Sequence, residues 1–318
     1  MSAQLILAIP SKGRLKEQVE DWLADAGLPI SAPSGGRGYT ARIEALPQVE
    51  VRLLSASDIA GALESGEVHL GVTGEDLLRE RMVDLDSRVE LLRACGFGRA
   101  DLIVAVPKSW LDVDSMADLE EVAHLHLVRT GRRLRAATKY IVQTRTFFAK
   151  HGITDYRIVE SGGATEGAPA SGAAEIIVDI TTTGATLAAN HLKIVSDGVI
   201  LKSQARLAAS LAADWDAGRL AVVRQLLGLV EARARAKGSV MLVWPAEQDE
   251  GARKALAGLV AGGARPRANG LLLAERDLLA AQAALASAGI GPVAATRPEH
   301  LFEPVSVAAE TLATRVTA

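Results

Sequence analysis

The segment from Asp179 to Thr186, DITTTGAT, is the clearest candidate for chemistry in the sequence. It follows a short apolar run, which predicts a buried strand, and it precedes a segment with helical spacing. Ligands of α/β sheets bind beyond the carboxyl ends of strands. Threonine hydroxyls, backbone N–H groups at a helix start and the close approach allowed by Gly184 suit a phosphomonoester. The alternative is an ordinary turn and N-cap, and no Walker lysine follows the glycine.

Glu166 lies in the preceding loop, GGATEGAP. A carboxylate beside a phosphate site is costly unless a metal or a ribose hydroxyl balances its charge. Glu166 and Asp179 together would therefore suit a magnesium–sugar-phosphate ligand, with either carboxylate meeting the metal through that ligand. Taken alone, Glu166 is also compatible with a solvated loop acid.

Basic residues follow two other predicted strands. Lys12 and Arg14 stand in the first strand–helix turn, where cations suit an anionic ligand. The segment RTGRRLRAATKY adds Arg129, Arg132, Arg133, Arg135 and Lys139. Such a run could bind RNA, but it is short and Tyr140 is its only aromatic residue, so a polyphosphate ligand fits equally well. Solvated surface charge is the alternative for each group.

The elements that must position these residues alternate between strand and helix. The apolar runs QLILAIP, VEVRLLSA and VHLGVTG predict buried strands, each followed by a turn and a helix. LHLVRT and YRIVES predict two more strands, with a helix over AATKYIVQTRTFFAKHG between them. A long helix is predicted from about residue 208 to 237, and the alternation after it indicates a small separate α+β domain.

Composition limits the class of protein. The chain has 318 residues, of which 49% are hydrophobic and 23% charged, so it can build a sizeable core. A net charge of -3 argues against general nucleic-acid binding. Cys95 is the only cysteine, which suits a reducing compartment. No signal-peptide pattern and no apolar run of membrane-spanning length occurs, so we expect a cytoplasmic protein without membrane or nucleic-acid partners.

Several segments, in order, resemble the ATP phosphoribosyltransferase family, the first enzyme of histidine biosynthesis. They are LAIPSKGRL, SASDIAGALESGEVHLGVTGEDLL, LRAATKY and GGATEGAPASGAAEIIVDITTTGATLAAN, within about residues 5–206. The resemblance implies an α/β fold with two lobes like those of periplasmic binding proteins and the active site between them. Residues 1–100 and 184–237 would form the first lobe and 101–183 the second. Residues 238–318 would form a small α+β, ferredoxin-like regulatory domain, as in the long form of the family.

The resemblance also implies a reaction. ATP and phosphoribosyl pyrophosphate (PRPP) would give N1-(phosphoribosyl)-ATP and pyrophosphate, with Mg²⁺. The residues implied for PRPP are Glu166, Asp179, Thr182, Thr183, Gly184, Ala185 and Thr186. Those implied for ATP or pyrophosphate are Lys12, Arg14, Gly74, Glu75, Arg135, Lys139 and Tyr140. No general base is assigned, because adenine N1 has no proton to lose. Inhibition by histidine and a homo-oligomer, dimer or hexamer, are implied as well.

Departures and alternatives remain. The family often has Arg where Ser55 stands and Pro where Ala60 stands, so the nucleotide contacts are the least defined part of the prediction. Another phosphoribosyltransferase would predict two adjacent acids, whereas Val178 precedes a single Asp179. A non-catalytic two-lobed binding module would predict an export signal. An inactive paralogue, acting only through protein contacts, is disfavoured by the joint presence of Asp179 and Glu166 with the threonine–glycine turn.

Overall fold

Three β-sheets organise the protein in the computed structural model, which describes residues 4–31 and 40–317. The strands are β1 (Leu5–Pro10), β2 (Ile30–Ser31), β3 (Thr40–Ile43), β4 (Val49–Leu54), β5 (Leu70–Gly74), β6 (Val89–Ala94), β7 (Ala100–Pro107), β8 (Leu134–Thr138), β9 (Tyr156–Glu160), β10 (Ile176–Thr181), β11 (Leu192–Ser203), β12 (Ala205–Ser210), β13 (Ser239–Val243), β14 (Arg265–Arg267), β15 (Gly270–Ala274) and β16 (Ala294–Thr296). The α-helices are α1 (Gly13–Asp25), α2 (Ala56–Ser65), α3 (Glu75–Arg81), α4 (Met116–Thr130), α5 (Ile141–Lys150), α6 (Ala168–Ser171), α7 (Ala185–Ala189), α8 (Ala217–Ala236), α9 (Asp249–Ala255), α10 (Ala257–Ala261), α11 (Leu278–Ser287) and α12 (Val307–Thr317).

The first sheet has the order β2-β3-β4-β1-β5-β12-β6 and forms the core of the first lobe. Strands β4, β1 and β5 are parallel, and β12 runs antiparallel to β5 and β6. Leu7 and Ile9 of β1 pack in one cluster with Leu23 of α1 and Leu227 of α8, while Ala8 belongs to the cluster that contains α2. Burial on both faces explains why β1 is a continuous apolar run.

The second sheet has the order β11-β7-β10-β8-β9 and forms the second lobe. Strands β10, β8 and β9 are parallel, and β7 runs antiparallel to β10 and β11. The chain therefore passes between the lobes twice, from β6 to β7 and from β11 to β12. In both sheets the parallel strands direct their carboxyl ends to the edge where ligands of α/β folds bind.

The third sheet has the order β14-β15-β13-β16, with antiparallel pairing throughout. Its chain order is strand, helices, two strands, helix and strand, which is the ferredoxin-like βαββαβ arrangement. Trp244 is buried in the core of this domain, and its indole N–H donates to Asp249 at 3.0 Å. The α/β class, the two lobes and the small C-terminal domain confirm the predicted fold.

The last helix, α12, returns to the first lobe. Its buried residues Ala309 and Leu312 belong to the same core cluster as β1 and α8. Arg224 of α8 binds Glu310 through two hydrogen bonds of 2.6 and 3.1 Å, and Arg315 binds Glu90 of β6. The predicted unit 238–318 therefore includes a helix that packs on the first lobe.

Other sequence predictions need correction. The predicted change of lobe at residue 184 comes too early, because β11 pairs with β7 of the second sheet through Ser203. LHLVRT is not a strand but lies in α4, which begins with a capping box between Ser115 and Asp118. The predicted helix over AATKY begins only at Ile141, and Leu134–Thr138 is β8 instead. The long helix begins at Ala217 rather than near residue 208.

Candidate active site

The turn between β10 and α7 has the geometry of an anion-binding loop. Thr181 Oγ1 accepts a hydrogen bond from the Gly184 N–H at 3.0 Å, which closes the turn. Gly184 has φ +72°, a conformation that favours glycine, while nothing lies within 4 Å of where its Cβ would be. Glycine is thus required by the backbone angle, and the space in front of the turn is open.

Several N–H groups of this turn are available to a ligand. Among residues 4–31 and 40–317, the backbone N–H groups of Thr182, Thr183 and Thr186 donate to no protein acceptor. The side chains of all three threonines are exposed, although Thr182 Oγ1 also reaches the Arg99 carbonyl at 3.3 Å. Unpaired N–H groups and hydroxyls on one short turn provide the donors that a phosphate group needs.

Asp179 lies at the base of the turn, on the fourth residue of β10. Its Oδ1 accepts the Ile180 N–H at 2.8 Å. Burial raises the pKa of Asp179 above its ordinary value, the Ile180 N–H and Lys139 counteract this shift, and the negative charge of Glu166 adds to it. Two neighbouring carboxylates of this kind favour a ligand that brings hydroxyl donors or a cation.

One cavity brings most of the predicted PRPP residues together. It has a volume of about 300 Å³ and is lined by Glu166, Asp179, Thr182, Thr183, Ala185 and Thr186, with Thr181 and two apolar neighbours. Glu166 reaches it from a 3-10 turn, Thr165–Gly167. The turn follows Ala164, whose φ of +51° is unusual for a residue other than glycine. Strained backbone of this type is found preferentially at functional sites.

Residues that the sequence prediction did not name extend this region. A second cavity of about 370 Å³ shares Thr181 and Thr182 with the first and is also lined by Arg99, Lys202 and Gln204. Arg99 precedes β7 and Lys202 lies near the end of β11, so both stand where the chain crosses between lobes. No local sequence signal marks these two cations, because only the pairing of β7 with β11 brings them together.

Tyr140 and Lys139 follow β8 at the same sheet edge, but their environments differ. Lys139 is exposed, and its Nζ lies 5.0 Å from the centre of the Tyr140 ring. Tyr140 is fully buried, and its hydroxyl donates to Asp76 Oδ2 at 2.7 Å. Burial, together with the charge of Asp76, raises the pKa of Tyr140 far above its ordinary value. The Tyr140 hydroxyl thus contacts Asp76 of the first lobe, whereas the prediction had it facing a ligand.

Asp76 is the centre of the contact between the lobes. Its Oδ1 accepts the Ser203 hydroxyl at 2.7 Å, and its backbone carbonyl accepts the Gln143 side-chain amide at 2.9 Å. Since Asp76 follows β5 and Tyr140 follows β8, the carboxyl ends of the two sheets lie next to each other. This arrangement agrees with a site between two lobes.

Gly74 and Glu75 lie at the end of β5, as predicted, but Glu75 is occupied by protein partners. Its carboxylate binds Arg206 at 2.7 Å and Arg79 at 2.8 Å, and the residue is 4% exposed. Burial alone would raise the pKa of Glu75, yet the hydrogen bonds from Arg206 and Arg79 lower it below its ordinary value. A Cβ on Gly74 would meet Asp76 Oδ1 at 2.3 Å, so the glycine makes room for the contact between the lobes.

The remaining predicted cations separate into two groups. Lys12 and Arg14 are exposed at the start of α1, at the carboxyl end of β1, and line neither cavity. Arg135 is at the opposite end of the second sheet. It is the second residue of β8, binds Glu175 through Nη2 at 2.6 Å, and lies three residues before Thr138. Three strand residues span about 10 Å, so Arg135 lies away from the carboxyl end of β8, where Lys139 and Tyr140 stand, and its role in binding ATP or pyrophosphate stays a prediction.

The fold and the site define a two-lobed α/β protein in which a turn with unpaired N–H groups and two carboxylates line one cavity of the second lobe. Comparison with known proteins narrows this class. A family model described as HisG, ATP phosphoribosyltransferase, matches residues 55–231. The ATP phosphoribosyltransferase of Caulobacter vibrioides (strain NA1000 / CB15N) is 66% identical over 303 residues, which cover 95% of each chain. That of Nitrobacter winogradskyi is 58% identical over 236 residues, 74% of this chain and 73% of the relative.

The chain belongs to the ATP phosphoribosyltransferase family. It is accordingly a pentosyltransferase whose substrates are ATP and PRPP, and it acts in the first step of histidine biosynthesis. The match is to the ATP-using enzymes rather than to another phosphoribosyltransferase or a binding module. None of the helices in the described part of the chain has the length and apolar character that a bilayer span needs.

A solved structure agrees with the fold. The ATP phosphoribosyl transferase (HisG:HisZ) complex from Thermotoga maritima includes a chain that superposes with a TM-score of 0.55 at 24% identity. The match covers 72% of this chain and 96% of the other.

Proposed function

We propose that this chain transfers the phosphoribosyl group of PRPP to N1 of ATP at the cavity between Glu166, Asp179 and the Thr182–Thr186 turn. The observation that carries the proposal is the meeting of three features in one cavity of about 300 Å³: unpaired turn N–H groups, threonine hydroxyls and two carboxylates. A phosphoribosyl ligand requires hydrogen-bond donors for its phosphate group and hydrogen-bond acceptors for its ribose hydroxyls.

The 5′-phosphate of PRPP would lie on the turn, where it would accept hydrogen bonds from the unpaired N–H groups of Thr182, Thr183 and Thr186 and from the exposed threonine hydroxyls. The ribose hydroxyls would donate to Asp179 and Glu166. Donation to Asp179 would offset the cost of its burial, which raises its pKa in the free protein.

Mg²⁺ fits this site as a companion of PRPP. Within residues 4–31 and 40–317, no group of three or more His, Cys, Asp or Glu is arranged to hold a metal by itself. Mg²⁺ is commonly bound through one or two carboxylates together with substrate phosphates. Glu166 or Asp179 would hold the ion indirectly, through Mg²⁺-bound PRPP. When bound, the ion would neutralise charge on the departing pyrophosphate.

The protein contributes to the reaction mainly by orientation and electrostatics. As pyrophosphate leaves, C1′ gains positive character, which the neighbouring Asp179 and Glu166 carboxylates stabilise. Lys139 lies on the same sheet edge and would attract the leaving pyrophosphate, as would Lys12 and Arg14 from the first lobe once ligands are bound. Adenine N1 attacks from the opposite face and loses no proton, so no general base is assigned.

A coupled assay tests the reaction. Purified protein is mixed with ATP, PRPP, Mg²⁺ and a pyrophosphatase, and absorbance of the N1-substituted adenine is followed. We expect an increase that requires both substrates. No signal, with the coupling enzyme active, would reject the proposed reaction.

The substitution Asp179→Asn tests the assignment of the site. It removes the charge that we place on the ribose and Mg²⁺ side, so the KM for PRPP should rise at least about tenfold, or about 1.4 kcal/mol, while the KM for ATP changes little. Asp112→Asn is a matched control, because Asp112 is an exposed acid of the same lobe outside both cavities. Equal losses for ATP and PRPP would contradict the role given to Asp179.

Feedback inhibition by histidine is a second part of the proposal. It is supported by the family resemblance and by the ferredoxin-like third domain, β13 to β16. Isothermal titration of the full chain with histidine should show binding, and histidine should lower the rate of the coupled assay. Absence of both effects would exclude this regulation without affecting the proposed reaction.

Assembly and location complete the proposal. The family resemblance supports a homo-oligomer, dimer or hexamer, and a cytoplasmic location suits an enzyme that uses ATP and PRPP. Light scattering of the purified chain would measure the number of subunits, and a monomer at all concentrations would contradict the proposed assembly.

A further inference from the structure

A basic groove lies at the edge of the second sheet opposite the cleft. Its volume is about 750 Å³, and its lining includes the guanidinium groups of Arg132, Arg133, Arg135 and Arg157. Glu175 is the only acid in the lining. With His126 neutral, four guanidinium groups and one carboxylate give the groove a net charge of +3.

The arginines of this groove are held close together by the sheet. Arg135 of β8 and Arg157 of β9 are direct partners in the parallel register, so their side chains leave the same face of the sheet. Like charges placed opposite each other are destabilising unless an anion lies between or beside them. Glu175 neutralises only Arg135, which it binds at 2.6 Å and 3.1 Å.

The other three guanidinium groups are available. In residues 4–31 and 40–317, the side chains of Arg132, Arg133 and Arg157 form no hydrogen bond or ion pair, and all three residues are exposed. Arg132 and Arg133 come from the loop after α4, whose end is fixed by Gly131 at φ +69°, whereas Arg157 comes from β9. Cations from separate elements therefore converge on one concave surface.

We propose that this groove binds a small anion that carries two or more phosphate groups. Guanidinium groups match phosphate oxygens in a two-pronged geometry, and three unpaired ones exceed what a single phosphate needs. The volume falls within the range of small-molecule sites. The lining contains no large apolar or aromatic side chain apart from His126, so recognition rests on the phosphate groups.

This site is distinct from the proposed active site. Arg135 is the second residue of β8 and Lys139 follows the end of this strand, so the groove and the cleft lie at opposite ends of the strands of one sheet, about 10 Å or more apart. The strand that carries Arg135 thus connects both sites. The inference does not depend on the reaction proposed for the cleft.

Arginine-directed labelling can test the groove separately from the cleft. The full chain is treated with phenylglyoxal, with and without inorganic tripolyphosphate, and modification of each arginine is measured by mass spectrometry. We expect tripolyphosphate to slow modification of Arg132, Arg133 and Arg157 at least fivefold. In Arg133→Ala/Arg157→Ala the protection of Arg132 should disappear. Arg145→Ala/Lys150→Ala, which removes two exposed cations from α5 of the same lobe, should leave the protection unchanged.

Further outcomes decide the identity of the ligand. The labelling is repeated with guanosine triphosphate in place of tripolyphosphate. Protection of Arg132 at a lower concentration of guanosine triphosphate would support a nucleotide as the source of the phosphate groups, and equal protection would support the inorganic anion. Unchanged modification at all three arginines would overturn the proposal. It would also be overturned if these arginines are unreactive without added anion and Arg133→Ala/Arg157→Ala reduces the number of subunits, because the groove would then be a subunit interface.

Discussion

Removal of the Tyr140 hydroxyl should destabilise the protein, because this group joins the two lobes. Tyr140→Phe deletes the donor that binds Asp76 Oδ2 at 2.7 Å and keeps the ring in its buried position. Asp76 is 7% exposed, so water does not readily replace the lost donor. A hydrogen bond to a charged group contributes about 1.5–3 kcal/mol, and we expect a loss of unfolding free energy in this range.

Urea unfolding of the full chain, followed by tryptophan fluorescence and circular dichroism, measures this loss. Tyr156→Phe is the matched control. Its ring also packs on Phe148 in the second lobe, but in the described residues the Tyr156 hydroxyl has no hydrogen-bond partner. The control should change the free energy of unfolding by less than about 0.5 kcal/mol. Equal, small effects of both substitutions would refute the role assigned to the Tyr140–Asp76 bond.

Two further predictions concern groups outside the cleft. Arg233 and Lys237 lower the pKa of Asp25 to about 2, so its carboxylate stabilises the fold above about pH 4 and this contribution is lost as pH falls toward 2. At neutral pH the free energy of unfolding of the wild type should exceed that of Asp25→Asn by about 1 kcal/mol, a value reduced for solvent screening. This difference should shrink in acid. A difference that stays constant between pH 6 and 3 in urea titrations would contradict the prediction. Burial raises the pKa of the Cys95 thiol to about 12. A thiol reagent at pH 8 should therefore label Cys95 only slowly in the native protein and completely in denaturant. Fast labelling of the native protein would contradict this, because it would show that the thiol is accessible and ionised.

The turn after Asp179 could be predicted because its signals are local. A buried strand gives an apolar run, the positive φ of the turn favours Gly184, and the threonines stand where donors are needed. The small α+β domain was predictable for the same reason, but its β14 was not, because Arg265–Arg267 is a short strand of exposed residues without an apolar pattern.

The wrong assignment of the elements around Arg135 has a physical cause. LRAAT contains two alanines, which favour helix, yet Ala136 and Ala137 are almost completely buried in a central parallel strand. In LHLVRT the alternation of apolar and polar residues imitates a strand, although the Ser115–Asp118 capping box and Gly131 mark the two ends of a helix. With Leu134–Thr138 assigned to β8, Arg135 lies near the amino end of this strand, away from the cleft.

Contacts between distant segments could not be predicted. Asp76 and Tyr140 are 64 residues apart, and Asp76 and Ser203 are 127 apart. Glu75 was assigned to the ligand because it follows a strand, but the buried carboxylate binds Arg206 and Arg79 instead. Only the pairing of the sheets reveals these partners.

The return of α12 to the first lobe has a consequence for cleavage of the chain. The third domain is joined to the first lobe at the end of α8 and again by the segment after β16, where the Leu301 N–H donates to the Ala232 carbonyl and α12 packs on the lobe. A single protease cut between α8 and β13 would therefore not release the domain, because Leu312 and Glu310 would still hold α12 on the lobe. A fragment that ends before Gly238 would lose α12 as well and expose apolar surface of α8 and β6, so it would be prone to aggregate.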